Sequence, residues 1–220
     1  MSTVLALRRA GEIKTITLFM IILTALLLDT WFTQNHIMTR QVYYNLLSDQ
    51  LEIYRIDMIY GWVKKFSVWN YLLVPLITLV RILFIALLIQ LPLVFRFIDV
   101  PFSRLFRIAT IAFLPLMLMT LIKTAWLAMV PGNQIDAGIL SRVPLALTNL
   151  LDTSAYPRPV LGFLSSFNLF EITWCCVIVI LLSKAARLKK SDTALMVFFI
   201  WTLILCFRFV LVLYLEKVNS

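Results

Sequence analysis

Three bases interrupt long apolar stretches of this chain: Arg81, Lys123 and Arg208. Two acids, Asp29 and Glu171, fall near the ends of other such stretches. A charge at the centre of a membrane span costs about 2.5–3.5 kcal/mol on insertion scales, so it needs a partner, an aqueous path or reach to a surface. Arginine keeps its proton at any working pH, which suits it to fixing an anion, a carboxylate or a helix end rather than to relaying protons. The other reactive side chains stand alone. His36 is the sole histidine. Cys175 and Cys176 are adjacent without a histidine nearby, so a metal would lack ligands. Ser165 and Ser166 precede Glu171 without a base to activate them. Neither an HExxH zinc pattern nor a Gly-x-Ser-x-Gly elbow occurs. The five glycines never cluster, which excludes a glycine-rich phosphate loop. The expectation from these residues is a protein that is not an enzyme and takes no cofactor and no metal.

The elements that must carry those charges follow from composition. The chain is 62% hydrophobic with a mean hydropathy of +0.95, outside the range of a soluble domain. A helix needs about 20 apolar residues to cross ~30 Å of hydrocarbon. Five segments satisfy this, at about 16–32, 69–95, 108–130, 167–183 and 194–215, in one polytopic domain over 1–220. Arg8, Arg9 and Lys14 before Ile16–Leu28 imitate a signal peptide, but no small-residue cleavage site follows, so the segment reads as an uncleaved first span.

Loop charge sets the expected orientation. With the N-terminus inside, the inner segments hold ten bases against three acids, among them Arg96, Arg104, Arg107, Lys184, Arg187, Lys189 and Lys190. The outer segments hold seven bases against six acids, including Asp49 and Asp152, over about twice the length. This favours N-in, C-out. The net charge of +9 therefore follows membrane orientation, and nucleic acid is not an expected partner. Membrane lipids and other membrane-protein subunits are.

In the first outer loop Tyr43, Leu47, Leu51, Tyr54, Met58 and Trp62 recur at spacings of four, four, three, four and four, one stripe of a helix over about 40–60. The expectation is an amphipathic helix lying at the interface, or docking a partner, loosened near Gly61. In the second outer loop, the run Val143–Leu151 suggests a short helix returning to the membrane surface.

Depth follows from ~1.5 Å per residue: Lys123 and Arg208 lie about 10 Å from the outer ends of their spans, and Arg81 about 18 Å from Trp69. Lys123 and Arg208 can snorkel. Arg81 is near the midplane and is expected to face the bundle interior, paired with Asp29, with Glu171 or with an acid of another chain. The stripe Phe198, Trp201, Ile204, Leu205 and Arg208 on the last span is either a contact face or internal packing. The turn bearing Lys184, Arg187, Lys189 and Lys190 either meets anionic headgroups or sets orientation.

The segment Leu161-Gly162-Phe163-Leu164-Ser165-Ser166-Phe167-Asn168-Leu169-Phe170-Glu171-Ile172-Thr173-Trp174, followed by Leu182-Ser183-Lys184-Ala185-Ala186-Arg187-Leu188 and Lys189-Lys190-Ser191, resembles the C-terminal half of bacterial Yip1-domain membrane proteins. The resemblance covers about residues 160–215. It departs from the family at Cys176-Val177-Ile178, where a glycine is expected, and at the basic turn. It implies five spans, N-in and C-out, a non-enzymatic role and no catalytic residues. The expected function is an accessory or scaffold subunit of a larger inner-membrane assembly, for example an export or secretion machine in a bacterium. A stand-alone small-molecule or ion transporter and a lipid-binding membrane protein are the alternatives.

Overall fold

The computed structural model of the chain describes the backbone of residues 2–48, 50–151 and 156–219, and side chains over 15–48, 50–151, 156–157 and 160–214. Asp49 and Asp152, counted above among the outer acids, lie outside the described residues. The fold is all-helical. Five helices are long and apolar enough to cross a membrane: α1 (Ser2–Phe32), α3 (Ile53–Phe95), α4 (Phe102–Met129), α7 (Leu169–Ala186) and α8 (Lys190–Asn219). Between them lie α2 (Arg40–Leu47), α5 (Ala137–Ser141) and α6 (Arg158–Ser165). Among the described residues no strand forms, only an isolated bridge between Ala146 and Asn168.

Helix α4 is the centre of the bundle and packs against α1, α3 and α7, while α8 lies on α7. Its inward residues Leu105, Ile108, Ala109, Ala112 and Phe113 recur at helical spacing and are buried. Ala109 and Ala112 let neighbouring backbones approach, which matters where lipid removes the hydrophobic drive and packing must hold helices together. Ile82, Ile85, Ala86 and Ile89 of α3, Trp174, Ile178 and Leu182 of α7, and Val197 and Ile200 of α8 complete this core. Pro75, Pro92 and Pro115 all fall inside helices that continue through them.

Two expectations for the loops are corrected. A single amphipathic helix over about 40–60 does not form. The chain leaves helix after Leu47, and α3 begins at Ile53, sixteen residues before the expected start of the second span. The apolar stripe is thereby divided: Tyr43 and Leu47 are on α2, Leu51 is in the break, and Tyr54, Met58 and Trp62 belong to α3. With 43 residues, α3 is about 65 Å long, roughly twice the ~30 Å of hydrocarbon. Gly61 sits within it rather than ending it.

Helix α2 folds back along this extension. Asp57 accepts from Arg40 Nε and from the Tyr44 hydroxyl, each at 2.7 Å, and the Tyr43 and Tyr60 rings meet edge to face at 5.4 Å. The hydrogen bond to Asp57 raises the Arg40 guanidinium and the Tyr44 phenol above their ordinary ranges. Beneath α2, Val42 and Ile37 are buried against Leu127 and Ile135, and Asn45 donates to the Gly132 carbonyl at 2.9 Å. The segments 38–48 and 130–140 thus close one end of the bundle together.

The run Val143–Leu151 is not a helix of useful length. Pro144 disfavours helical backbone at Val143, and only a four-residue 3-10 turn, Leu147–Leu150, forms. Leu145 and Leu147 instead tie this turn to the start of α7, through Leu147 N to Phe167 O at 2.9 Å and Leu169 N to Leu145 O at 3.3 Å.

Candidate functional site: the intramembrane charges

Glu171 is the most completely satisfied of the five charges. Asn168 caps α7, accepting from the Glu171 amide at 2.8 Å, and this fixes Glu171 in the first turn, where the helix dipole favours a carboxylate. Its side chain does not turn back onto the cap. It reaches across to α8, where Arg208 Nη1 donates to Oε1 at 2.7 Å and Trp201 Nε1 donates to Oε2 at 2.9 Å. Trp201 and Arg208 are seven residues apart, two turns on one face, so the stripe read on the last span turns this part toward α7. Phe198, also on the stripe, is 61% exposed. Glu171 itself is buried, and Phe167 packs edge to face on Trp201 at 5.2 Å.

Arg81 is not part of that pairing. Among the described residues the carboxylate near it is Glu171, both of whose oxygens are occupied by α8. Arg81 stands in electrostatic range of Glu171 and of the like charge of Arg208. Its guanidinium lies 6.0 Å above the Phe113 ring, at the outer limit of a cation–π contact. Among the described residues it makes no ion pair, and it is exposed at the bundle surface rather than enclosed. Around it on α3, Ile77, Val80, Phe84 and Leu87 are each more than half exposed.

Asp29 on α1 and Lys123 on α4 do not pair with each other. The Thr124 hydroxyl of α4 lies beside Asp29 of α1, while the adjacent Lys123 stays half-buried without an ion partner among the described residues. The Oδ1 atom of Asp29 is buried with no hydrogen-bond partner. The five charges therefore form one pair, Glu171 with Arg208, and three separate positions.

Other residues singled out from sequence are placed plainly. His36 falls in a π turn, Thr33–Ile37, with its ring against Trp31 at 5.6 Å and Phe32 at 4.8 Å. Cys175 is half-buried, whereas Cys176 and Cys206 face outward, so the vicinal pair does not fill the core as a unit. Lys184, Arg187, Lys189 and Lys190 are all exposed at the end of the bundle opposite α2. Arg187 takes a left-handed backbone, φ 54°, to end α7, with Leu188 N bonded to Ser183 O at 3.1 Å.

No protein-family model, no curated protein and no solved structure matches this chain. The Yip1-like reading rests on the residues quoted for it. The five helices are compatible with a multi-pass membrane protein.

Proposed function

We propose that this chain is a non-enzymatic accessory or scaffold subunit of a larger membrane assembly, and that Arg81 contacts an acidic residue of a partner subunit inside the bilayer. The observation that carries this reading is Arg81 itself. It is deep on α3, exposed at the bundle surface among apolar side chains, and Glu171, the carboxylate beside it, is taken by Arg208 and Trp201. A mid-span charge without a partner is costly, and an acidic group on a neighbouring transmembrane helix removes that cost.

The proposed orientation is N-in and C-out. Supporting it is the gathering of the 96–107 and 184–190 segments at one end, where Arg104 Nη1 reaches Ala185 O at 3.5 Å, so that their bases form one exposed surface consistent with the cytoplasmic side. The proposed setting is a bacterial inner membrane, with Yip1-type proteins as the relatives that the 160–215 segment suggests.

The test is purification of the tagged chain from its native membrane in gentle detergent, with mass spectrometry of what accompanies it. The expected result is a stoichiometric membrane protein with an Asp or Glu in a span, lost with Arg81→Leu while the chain itself remains folded. Recovery of the chain alone, or an unchanged complex with Arg81→Leu, overturns the reading.

A further inference from the structure

A groove of 470 Å³ runs between α7 and α8. Ile172, Cys176 and Ile180 line it on α7, and Ala194, Phe198 and Trp201 line it on α8. Apart from two thiols, its only polar side-chain group is the Trp201 indole N–H, which is already donated to Glu171 at 2.9 Å. The groove therefore accepts an apolar occupant.

Its two walls follow helical rows that lead to lysines. Ile172, Cys176 and Ile180 are four apart, and the next residue in that row is Lys184. Ala194 and Phe198 are four apart, and the residue before them in that row is Lys190. Each lysine thus stands about 6 Å, one turn, beyond the end of the groove, on the face that lines it, and both are exposed. The helices are joined by residues 187–189 alone, so Arg187 and Lys189 lie between the two lysines. One acid, Asp192, is close in sequence; it lies 3.5 Å from Ser191 Oγ, and two residues from Lys190 it occupies a different face. None of the four bases makes an ion pair among the described residues. Membrane orientation accounts for bases in this turn, but it does not call for two of them in line with a groove.

Bases at one end and an apolar channel beyond them specify an anion joined to a hydrocarbon chain. A free phosphate suits the lysines and leaves the groove unfilled. An apolar helix face suits the groove and leaves the lysines without a counter-ion. A phospholipid of the adjoining leaflet satisfies both, with its phosphate at the level of the lysines and an acyl chain along the roughly 12 Å from Ile180 to Ile172. Basic pockets between spans are suited to anionic headgroups.

We infer that the α7–α8 groove holds one acyl chain of an anionic phospholipid whose phosphate is bound by Lys184 and Lys190. Phe198 and Trp201 flank that chain on α8, and Cys176 lies beside it on α7. The inference does not rest on the partner proposed for Arg81.

The test exchanges the full chain into nanodiscs of equal parts phosphatidylglycerol and phosphatidylcholine with identical acyl chains, and native mass spectrometry measures which lipid is retained. A lysine near an anionic headgroup contributes about fivefold, so phosphatidylglycerol is expected to be preferred roughly twenty-five-fold. Lys184→Gln with Lys190→Gln is expected to bring the two lipids near parity. Cys176→Phe with Ala194→Leu fills the groove from exposed positions and is expected to remove most of the retained phosphatidylglycerol, although the lysines are intact. Lys64→Gln with Lys65→Gln removes the same charge from α3 and is expected to change nothing; a monodisperse elution profile shows that each variant is folded. In the native membrane, a photo-crosslinking amino acid in place of Cys176 is expected to label phospholipid. Equal retention of the two lipids by the unaltered chain overturns the inference. So does a preference that either of the first two variant pairs leaves intact, or that the Lys64 and Lys65 changes lower as far. A crosslink from position 176 to protein, whether a second copy or another chain, also overturns it, because the groove then has a different occupant.

Discussion

The two intramembrane carboxylates sit on α1 and α7, both packed against α4, and have opposite fates. Glu171 is buried, and each of its oxygens takes a donor from α8. Asp29 lies beside the Thr124 hydroxyl, and its Oδ1 is buried without a hydrogen-bond partner. Both lie within a turn of a helix end and both are expensive to hold in hydrocarbon, yet only Glu171 is used to fasten two helices of this chain together. The difference separates structural charge from available charge. Where the fold supplies every partner, a charge specifies packing. Where it leaves an oxygen or a guanidinium without one among the described residues, as at Asp29 and Arg81, the charge specifies no packing within the chain.

The largest expected effect breaks the satisfied side. Glu171→Ala leaves Arg208 with no counter-ion and Trp201 with no acceptor, and the loss should be about 2.5–3.5 kcal/mol, the scale of an uncompensated charge in a span. Thermal or denaturant unfolding in detergent measures it. Glu171→Gln keeps an acceptor for one donor and should fall between that value and no change. Next comes Trp201→Phe, which removes a single inter-helix hydrogen bond and should cost about 1 kcal/mol in the same assay. Smallest is Asp29→Asn. Asp29 makes no ion pair among the described residues and the amide that replaces it leaves no unpaired charge, so stability should stay level or rise by a few tenths of a kcal/mol, roughly within the range of substitutions that break no pairing. A loss at Asp29 as large as that at Glu171 would erase the contrast.

Much of the helical framework was legible because a membrane makes composition speak plainly. The ends of α3 at Phe95 and α4 at Met129 lie within a residue of the apolar run that defines each. The errors fell where periodicity was read across a break. Tyr43 to Trp62 keeps helical spacing through 48–52, but spacing does not report that the backbone leaves the helix there, nor that Arg40 and Tyr44 would fold back onto Asp57. Val143–Leu151 was judged by its apolar content, and Pro144 decided it. The end of α7 had no glycine to announce it, since Arg187 itself adopts the left-handed turn.

The candidate site was legible as a list of charges and not as a pairing. Helical phase placed Trp201 and Arg208 on one face, and Glu171 at the start of α7 offered a carboxylate at matching depth. What phase does not give is which face of α8 meets α7, because that depends on the packing of Ile178 and Val197 in a core far from either charge. The cleft beside Asp29 was invisible for a related reason. Asp29, Thr30, Thr33 and Gln34 line it together with Asn70, Leu73 and Ile77 of α3, and which face of α1 is left open beside α3 depends on helix packing that spacing does not give.

Arg81 is the position where satisfied and available charge can be told apart most directly. Phe84 stands one turn away on the same exposed face, so a photo-crosslinking amino acid placed at 84 in the native membrane samples what Arg81 meets. The expected result is one discrete protein adduct whose crosslinked peptide carries an intramembrane Asp or Glu, and which disappears when Arg81→Leu is added. Adducts to lipid alone, or a protein adduct indifferent to Arg81→Leu, would contradict the account.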